Sequence, residues 1–192
     1  MRRGFKAEAD RVAARLREQM GTPDDRPLDP LEVARLLGVQ VLPADRLVPR
    51  ADLERLDALQ PGAFSAATFH LPDGRRVAVY NPCNDQARTR SDVAHELAHL
   101  LLDHDVREVH AVGGQTFFTC DPEQEAEANW LAGCVLLPRA LLLAAARRGA
   151  TAEDVARDTG VTVSMARFRL NTSGVLLQAR RARRPLSRSP GD

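Results

Sequence analysis

The segment 91–104, SDVAHELAHLLLDH, restricts the fold more than any other part of the sequence. Its apolar residues recur at the three- and four-residue spacing of one helix face, which predicts a buried helix. However, His95, Glu96 and His99 interrupt this aliphatic run. Burying such polar groups among aliphatic side chains costs several kcal/mol unless each one is satisfied by a partner. The sequence therefore predicts a core helix that also carries a polar site.

The polar residues of this helix form the pattern H-E-x-x-H. Positions i and i+4 of a helix are about 40° apart, so His95 and His99 face the same way and can bind one metal ion. Glu96 lies about 100° further round, within reach of a water on that metal. Two such nitrogens with one carboxylate and a water form a typical zinc site, in which the water's pKa falls to about 7 and Glu96 accepts its proton. The alternative is a chance match in a buried helix.

A third ligand has to come from elsewhere in the chain. His104 would point away from the two histidines if the helix continued that far. Asp105 stands where one class of zinc peptidases places its third ligand, but Leu102 replaces the glycine that turns the chain back in that class. Asp105 remains an alternative, whereas His70 and His110 are isolated histidines without a motif.

The segment after Asp121 is the better donor. Asp121 as N-cap and Pro122 as first helical residue predict a helix start, and this helix should end before Pro138. Glu125 and Asn129 are four residues apart and share a face of this helix. We predict Glu125 as the third ligand and Asn129 as a residue that orients a ligand. The alternative for Glu125 is an ordinary surface carboxylate.

The same helix carries small residues and further acidic residues. Close to the Glu125 face lie three small residues, Ala126, Ala132 and Gly133. We expect them to let this helix approach the H-E-x-x-H helix closely. Glu123 and Glu127 lie on the opposite face, where we expect them to be solvated.

The remaining elements predict an α+β fold that is mostly helical, with a small sheet or hairpin packed on the H-E-x-x-H helix. A Pro-Asp-Gly turn at 72–74 between apolar runs predicts the hairpin. Tyr80, at its end, is a candidate oxyanion donor, with core packing as the alternative. We expect one domain over 1–178, with closing helices at 151–174 in which Ser164 is an N-cap, and a basic, disordered tail over 179–192.

The composition is that of a globular protein, with 44% hydrophobic and 28% charged residues among 192. The net charge of +1 argues neither for nor against nucleic acid. Cys83, Cys120 and Cys134 are dispersed and odd in number, which favours free thiols in a reducing compartment. The chain shows no signal peptide and no apolar run long enough for a membrane span. We expect a cytoplasmic protein with no membrane association.

Several segments together resemble the ImmA/IrrE family of zinc metallo-endopeptidases. The opening GFKAEADRVAARLR, the RTRSDVAHELAHLLLDH helix and EAEANWLAGCVLLP occur in the family's order. The last of these carries the family's E-x-x-A-N motif, and GVTVSMARFRLNTSG is similar to its closing helices. The resemblance covers most of the chain.

The resemblance implies a zinc site formed by His95, His99 and Glu125, with Glu96 as the general base. It also implies cleavage of a helix-turn-helix repressor of the Xre type, which derepresses stress or mobile-element genes. The rival interpretation is a non-catalytic regulator that binds DNA or a repressor and holds a structural zinc. Arg167 and Arg169 in the 151–174 segment suggest direct DNA binding, but two short helices also commonly complete a small domain.

Overall fold

The computed structural model describes residues 1–104, 109–112, 115–118 and 121–183. The fold is α+β and mostly helical, as predicted. The α-helices are α1 (Phe5–Gln19), α2 (Pro30–Leu36), α3 (Arg50–Leu59), α4 (Gln86–Leu101), α5 (Pro122–Leu136), α6 (Arg139–Arg148), α7 (Ala152–Thr159), α8 (Val163–Thr172) and α9 (Val175–Arg183). The strands are β1 (Val39–Pro43), β2 (Ala66–His70), β3 (Arg76–Tyr80), β4 (Val109–Val112) and β5 (Gln115–Phe118).

The first three strands form a mixed sheet in the order β1-β3-β2. Strands β2 and β3 are the predicted antiparallel hairpin, and Thr68 pairs with Ala78 across it. The connecting turn needs Gly74 because its φ is 82°, which other residues rarely adopt. Strand β1 runs parallel to β3, with Val41 opposite Ala78. The other edge of β2 is unpaired among the described strands, which leaves β2 at the border of the sheet.

Helix α4 lies at the centre of the fold and packs against α2, α5 and strands β2 and β3. Val93, Ala94 and Leu97 are at most 2% exposed, as their helical spacing predicted. Helix α4 ends at Leu101, and Asp103 adopts a left-handed conformation with φ of 51°. The helix closes there with a hydrogen bond of 3.0 Å from the backbone N–H of His104 to the carbonyl oxygen of His99.

Helix α5 begins as predicted, because the Asp121 side chain accepts a hydrogen bond from the backbone N–H of Glu123 and Pro122 is the first helical residue. Its far end is held by Arg17 of α1, which is 4% exposed. The Arg17 guanidinium donates to the carbonyl oxygens of Cys134 and Val135, each at 2.9 Å. Arg17 thus satisfies carbonyls that the end of a helix leaves without intrahelical partners.

The closing helices differ from the predictions in two details. Thr162, and not Ser164, is the N-cap of α8, because its side chain accepts from the backbone N–H of Met165. Helix α9 continues to Arg183, and Ala179 is only 4% exposed. The predicted start of the tail at 179 is therefore wrong, since residues 179–183 belong to a helix packed on the core. Residues 184–192 lie outside the described residues.

A second, two-stranded antiparallel sheet joins β4 to β5, with Val112 opposite Gln115. No strand was predicted for this segment from the sequence. Apolar runs on either side of Gly113-Gly114 are a hairpin signal, because a two-residue glycine loop suits the twist of paired strands. Within the described part of the chain, no single helix is long and apolar enough to cross a membrane, and only α5 and α6 taken together, bent by 69°, meet that test.

Candidate metal centre

Helices α4 and α5 bring His95, His99 and Glu125 together, as the sequence predicted. The Nε2 atom of His95 lies 3.1 Å from Oε2 of Glu125 and 3.0 Å from Nε2 of His99. The Nε2 atom of His99 lies 3.5 Å from Oε1 of Glu125. One potential ligand atom from each residue lies within 4.8 Å of the other two.

The chemistry of this group fits a metal ion. Two imidazole nitrogens and a carboxylate oxygen are the donor set of catalytic zinc sites, which keep a further position open. The side chains are partly exposed, at 17%, 14% and 28% for His95, His99 and Glu125, so a molecule in the cleft can reach them. The group can therefore hold a metal on the side that faces the cleft.

Glu96 is the polar residue of the motif that does not join this group. It is 5% exposed and lines the same cleft as the two histidines. The Thr68 hydroxyl donates a hydrogen bond of 2.9 Å to Oε2 of Glu96. The carboxylate is thereby held by the edge strand β2, on the sheet side of α4, a partner that sequence reasoning did not identify.

The cleft has a volume of about 1420 Å³. Residues of helices α4 and α5 line it, together with residues 62–70, which include strand β2. Helix α8 contributes Met165 and Phe168, together with Thr162 and Ser164 at its start. The 151–174 segment, which the sequence suggested for DNA binding, thus forms part of the cleft.

His104 occupies a different position from the one predicted. A continued helix would point His104 away from the site, but α4 ends at Leu101 and the left-handed conformation of Asp103 places His104 beside His99. The Nδ1 atom of His104 lies 3.0 Å from Nδ1 of His99, and its Nε2 atom lies 3.6 Å from Oε2 of Glu127. Burial lowers the pKa of His104 and outweighs the opposite effect of the Glu127 carboxylate.

Glu127 is also placed differently. It was expected to be solvated, but it is 3% exposed. The backbone N–H of Arg2 donates to its Oε1 at 2.8 Å, and the Arg2 Nε donates to both carboxylate oxygens at 3.1 Å. Burial favours the neutral acid, yet the hydrogen bonds from Arg2 outweigh it and hold the pKa of Glu127 below its ordinary value.

The other sequence candidates have separate outcomes. Asn129 is exposed and lines the cleft, so its orienting role stays a prediction. Tyr80 packs against the main apolar core and is not among the described cleft residues, which favours the core alternative, and its oxyanion role stays a prediction. His70 is exposed and lines the cleft outside the metal group. Asp105 and the side chain of His110 lie outside the described residues.

Gly133 has a close neighbour that the sequence did not predict. A Cβ atom at this position would lie 2.4 Å from Cδ of Arg169, a side chain that is 1% exposed. The glycine therefore makes room for a buried arginine from α8. Its expected role in the approach of α5 to α4 stays a prediction.

Comparison with protein families finds a match over most of the chain. Residues 37–171 match the peptidase M78 family, described as IrrE N-terminal-like domain. The match includes both metal-group helices and most of the closing segment.

The chain belongs to the peptidase M78 family.

This assignment agrees with the resemblance that the motifs indicated. Comparison with curated proteins finds no match. As a member of a metallopeptidase family, the chain is assigned to the peptidases, and its group of His95, His99 and Glu125 is the part that can bind a metal.

Proposed function

We propose that this M78 protein is a zinc-dependent endopeptidase. The observation that carries the proposal is the convergence of His95, His99 and Glu125 beside Glu96 in one open cleft. A structural zinc site is usually closed by four protein ligands, whereas this group has three described members and faces the cleft. A structural site also has no need of a base such as Glu96.

In the proposed reaction, His95, His99 and Glu125 hold the metal. When bound, zinc supplies a Lewis acid that polarises a peptide carbonyl and makes a water more acidic. Glu96 accepts a proton from the attacking water as the water oxygen bonds to the carbonyl carbon. Glu96 then returns this proton to the leaving nitrogen as the C–N bond breaks, which yields a carboxylate and an amine. Thr68 keeps the Glu96 carboxylate in place for both transfers.

The size of the cleft and the strand at its border favour a protein as the substrate. Its volume of about 1420 Å³ exceeds the roughly 300–1,000 Å³ of pockets for small molecules. Strand β2 borders the cleft, and an edge strand can bind an extended peptide by adding it to the sheet. Met165 and Phe168 provide apolar surface for the side chains of such a peptide.

We infer further that the substrate is a helix-turn-helix repressor of the Xre type, whose cleavage derepresses stress or mobile-element genes. The support for this substrate is the motif resemblance to the ImmA/IrrE family. Such a substrate implies a cytoplasmic location for the protein.

The alternative is a non-catalytic regulator that binds DNA or a repressor. Arg167 and Arg169, whose positions suggested DNA binding, give this alternative limited support. Arg169 is 1% exposed, with its guanidinium donating to the Leu137 carbonyl oxygen at 3.3 Å. Arg167 is exposed but paired with Glu153 at 2.8 Å. A buried arginine cannot contact phosphate, so the endopeptidase is the better supported function.

The test compares the native chain with Glu96→Gln and His95→Ala variants in cells. New protein N-termini are mapped by mass spectrometry, and a repressor encoded near the gene is co-expressed with a reporter. We expect cleavage and reporter release with the native chain alone. If Glu96→Gln releases the reporter fully while His95→Ala does not, the metal supports binding and the enzyme proposal fails. If both release it, the metal site has no part in regulation.

A further inference from the structure

The Nδ1 side of the His99 ring, opposite the nitrogen that faces His95 and Glu125, carries a chain of polar contacts. The Nδ1 atom of His99 lies 3.0 Å from Nδ1 of His104. His104 reaches Glu127, and Glu127 is held by Arg2. His104 and Glu127 have side chains only 6% and 5% exposed, so these contacts are shielded from solvent.

If a metal binds Nε2 of His99, the contacts around the two rings fix which ring nitrogens carry protons. The Nε2 atom of His99 faces His95 and Glu125, so it is the nitrogen available to a metal. A neutral imidazole that binds through Nε2 carries its proton on Nδ1. This proton points at Nδ1 of His104, which can accept it only if His104 carries its own proton on Nε2. That second proton then faces Glu127.

The far end of the chain favours the same arrangement. The Oε2 atom of Glu127 lies 3.6 Å from Nε2 of His104, longer than a hydrogen bond but within range of electrostatic attraction. Arg2 donates to both carboxylate oxygens and keeps Glu127 charged and fixed. A fixed negative charge beside Nε2 attracts the proton to that nitrogen and leaves Nδ1 free to accept from His99.

We propose that His104 is a positioning residue for the metal centre. His104 holds His99 in the tautomer and the ring orientation that metal ligation requires. The inference rests on the proposed metal site and adds a partner that the H-E-x-x-H motif does not contain. Outer partners of ligating histidines fix the ring and raise its basicity, and their loss typically weakens metal binding about 10–100-fold.

The experiment measures zinc affinity by competition with a chromogenic chelator for purified native, His104→Leu and His104→Asn proteins. Leucine fills the space but accepts no hydrogen bond. Asparagine places its Oδ1 where Nδ1 of histidine lies, so it can accept from His99. His70→Leu is the matched control, because His70 is exposed and lies outside the metal group. We expect about 10–100-fold weaker zinc binding for His104→Leu, most of the affinity restored in His104→Asn, and no change in the control.

A second measurement needs no variant and excludes a merely structural effect. Long-range proton–nitrogen NMR of the zinc-loaded native protein should show His99 protonated on Nδ1 and His104 protonated on Nε2. His104 protonated on Nδ1 would overturn the proposal, as would a His104→Leu protein that binds zinc as tightly as the native chain. Neither result would contradict the peptidase proposal. That proposal fails instead if the protein binds zinc but Glu96→Gln cleaves the substrate as fast as the native chain.

Discussion

The Thr68 hydroxyl donates a 2.9 Å hydrogen bond to the Glu96 carboxylate and so joins the edge strand β2 to helix α4. This bond places the proposed general base directly beside the strand that borders the cleft. It leads to the first prediction. Replacing Thr68 by valine removes the donor and should lower the cleavage rate about tenfold, since hydrogen bonds to charged groups are worth about 1.5–3 kcal/mol.

Glu96→Gln removes the proton acceptor itself and should cost about 10²–10⁴-fold. Thr68→Ser keeps a hydroxyl and should retain most of the activity. All three proteins should bind zinc like the native chain, as measured by elemental analysis. A Thr68→Val protein that cleaves at the native rate would show that the bond does not position Glu96.

The second prediction concerns which carboxylate of α5 holds the metal. Glu125→Gln should weaken zinc binding by more than ~100-fold, because it removes a direct ligand and not an outer partner. Glu127→Gln should have a smaller effect, which acts through His104. Glu123→Gln is the matched control, as the side chain is 65% exposed on the same helix. Equal affinities for the Glu125 and Glu123 variants would exclude Glu125 as a ligand.

The third prediction concerns the end of the chain. A protein ending at Arg183 should melt at the native temperature, because residues 184–192 are rich in arginine and proline and contain little to bury. A protein ending at Gln178 should melt lower, because it loses the last turns of α9 and the buried Ala179. Calorimetry of both truncations would test this, and identical melting temperatures would show that the end of α9 contributes nothing.

The fourth prediction concerns Gly133, whose substitution by alanine would force a Cβ atom to within 2.4 Å of the Arg169 side chain. Overpacking of this kind typically costs about 1–3 kcal/mol. In an Arg169→Ala background the same change should be neutral or stabilising, because alanine favours a helix over glycine by about 1 kcal/mol. The free energy of unfolding in urea is measured for the native chain, Gly133→Ala, Arg169→Ala and the double variant. A Gly133→Ala protein as stable as the native chain would contradict the prediction.

The fifth prediction concerns the pH dependence of stability at α7. The backbone and side chain of Thr151 and the side chain of Arg157 lower the pKa of Asp154 from 3.8 to about 2. Because the folded-state pKa lies below the unfolded one, the Asp154 carboxylate stabilises the fold above pH 3.8. This stabilisation is lost as the pH falls toward 2.

Asp154→Ala should therefore be less stable than the native chain at pH 7, and the difference should shrink between pH 4 and pH 2. Asp25→Ala controls for the loss of one exposed carboxylate. Denaturant unfolding across this pH range measures the difference, and a gap that stays constant would refute the assignment.

Local features of the sequence determined much of the fold and the core of the candidate site. The spacing of His95 and His99 places both on one helix face wherever that helix packs, because the helical period is a local property. The caps at Asp121 and Thr151 act within a few residues of themselves, so the starts of α5 and α7 were predictable. Glu125 followed from its register within one helix.

The surroundings of the site depended on the tertiary structure. His104 reaches His99 because Asp103 turns the chain at the end of α4, and a helical extrapolation cannot foresee that turn. Glu127 is buried because Arg2, distant in sequence, folds over it. In isolation, the α5 residues around Glu127 offer no sign of this partner.

Helix α8 shows the same division. Its sequence predicted a helix with basic residues, but its neighbours decided that Arg169 is buried against Gly133 and that Phe168 lines the cleft. The helical period predicts which residues share a face of the helix. Only the packing of the whole chain determines which other residues that face contacts. The sequence by itself therefore determined the pattern of candidate metal ligands, whereas the tertiary structure decided which residues surround them and which line the cleft.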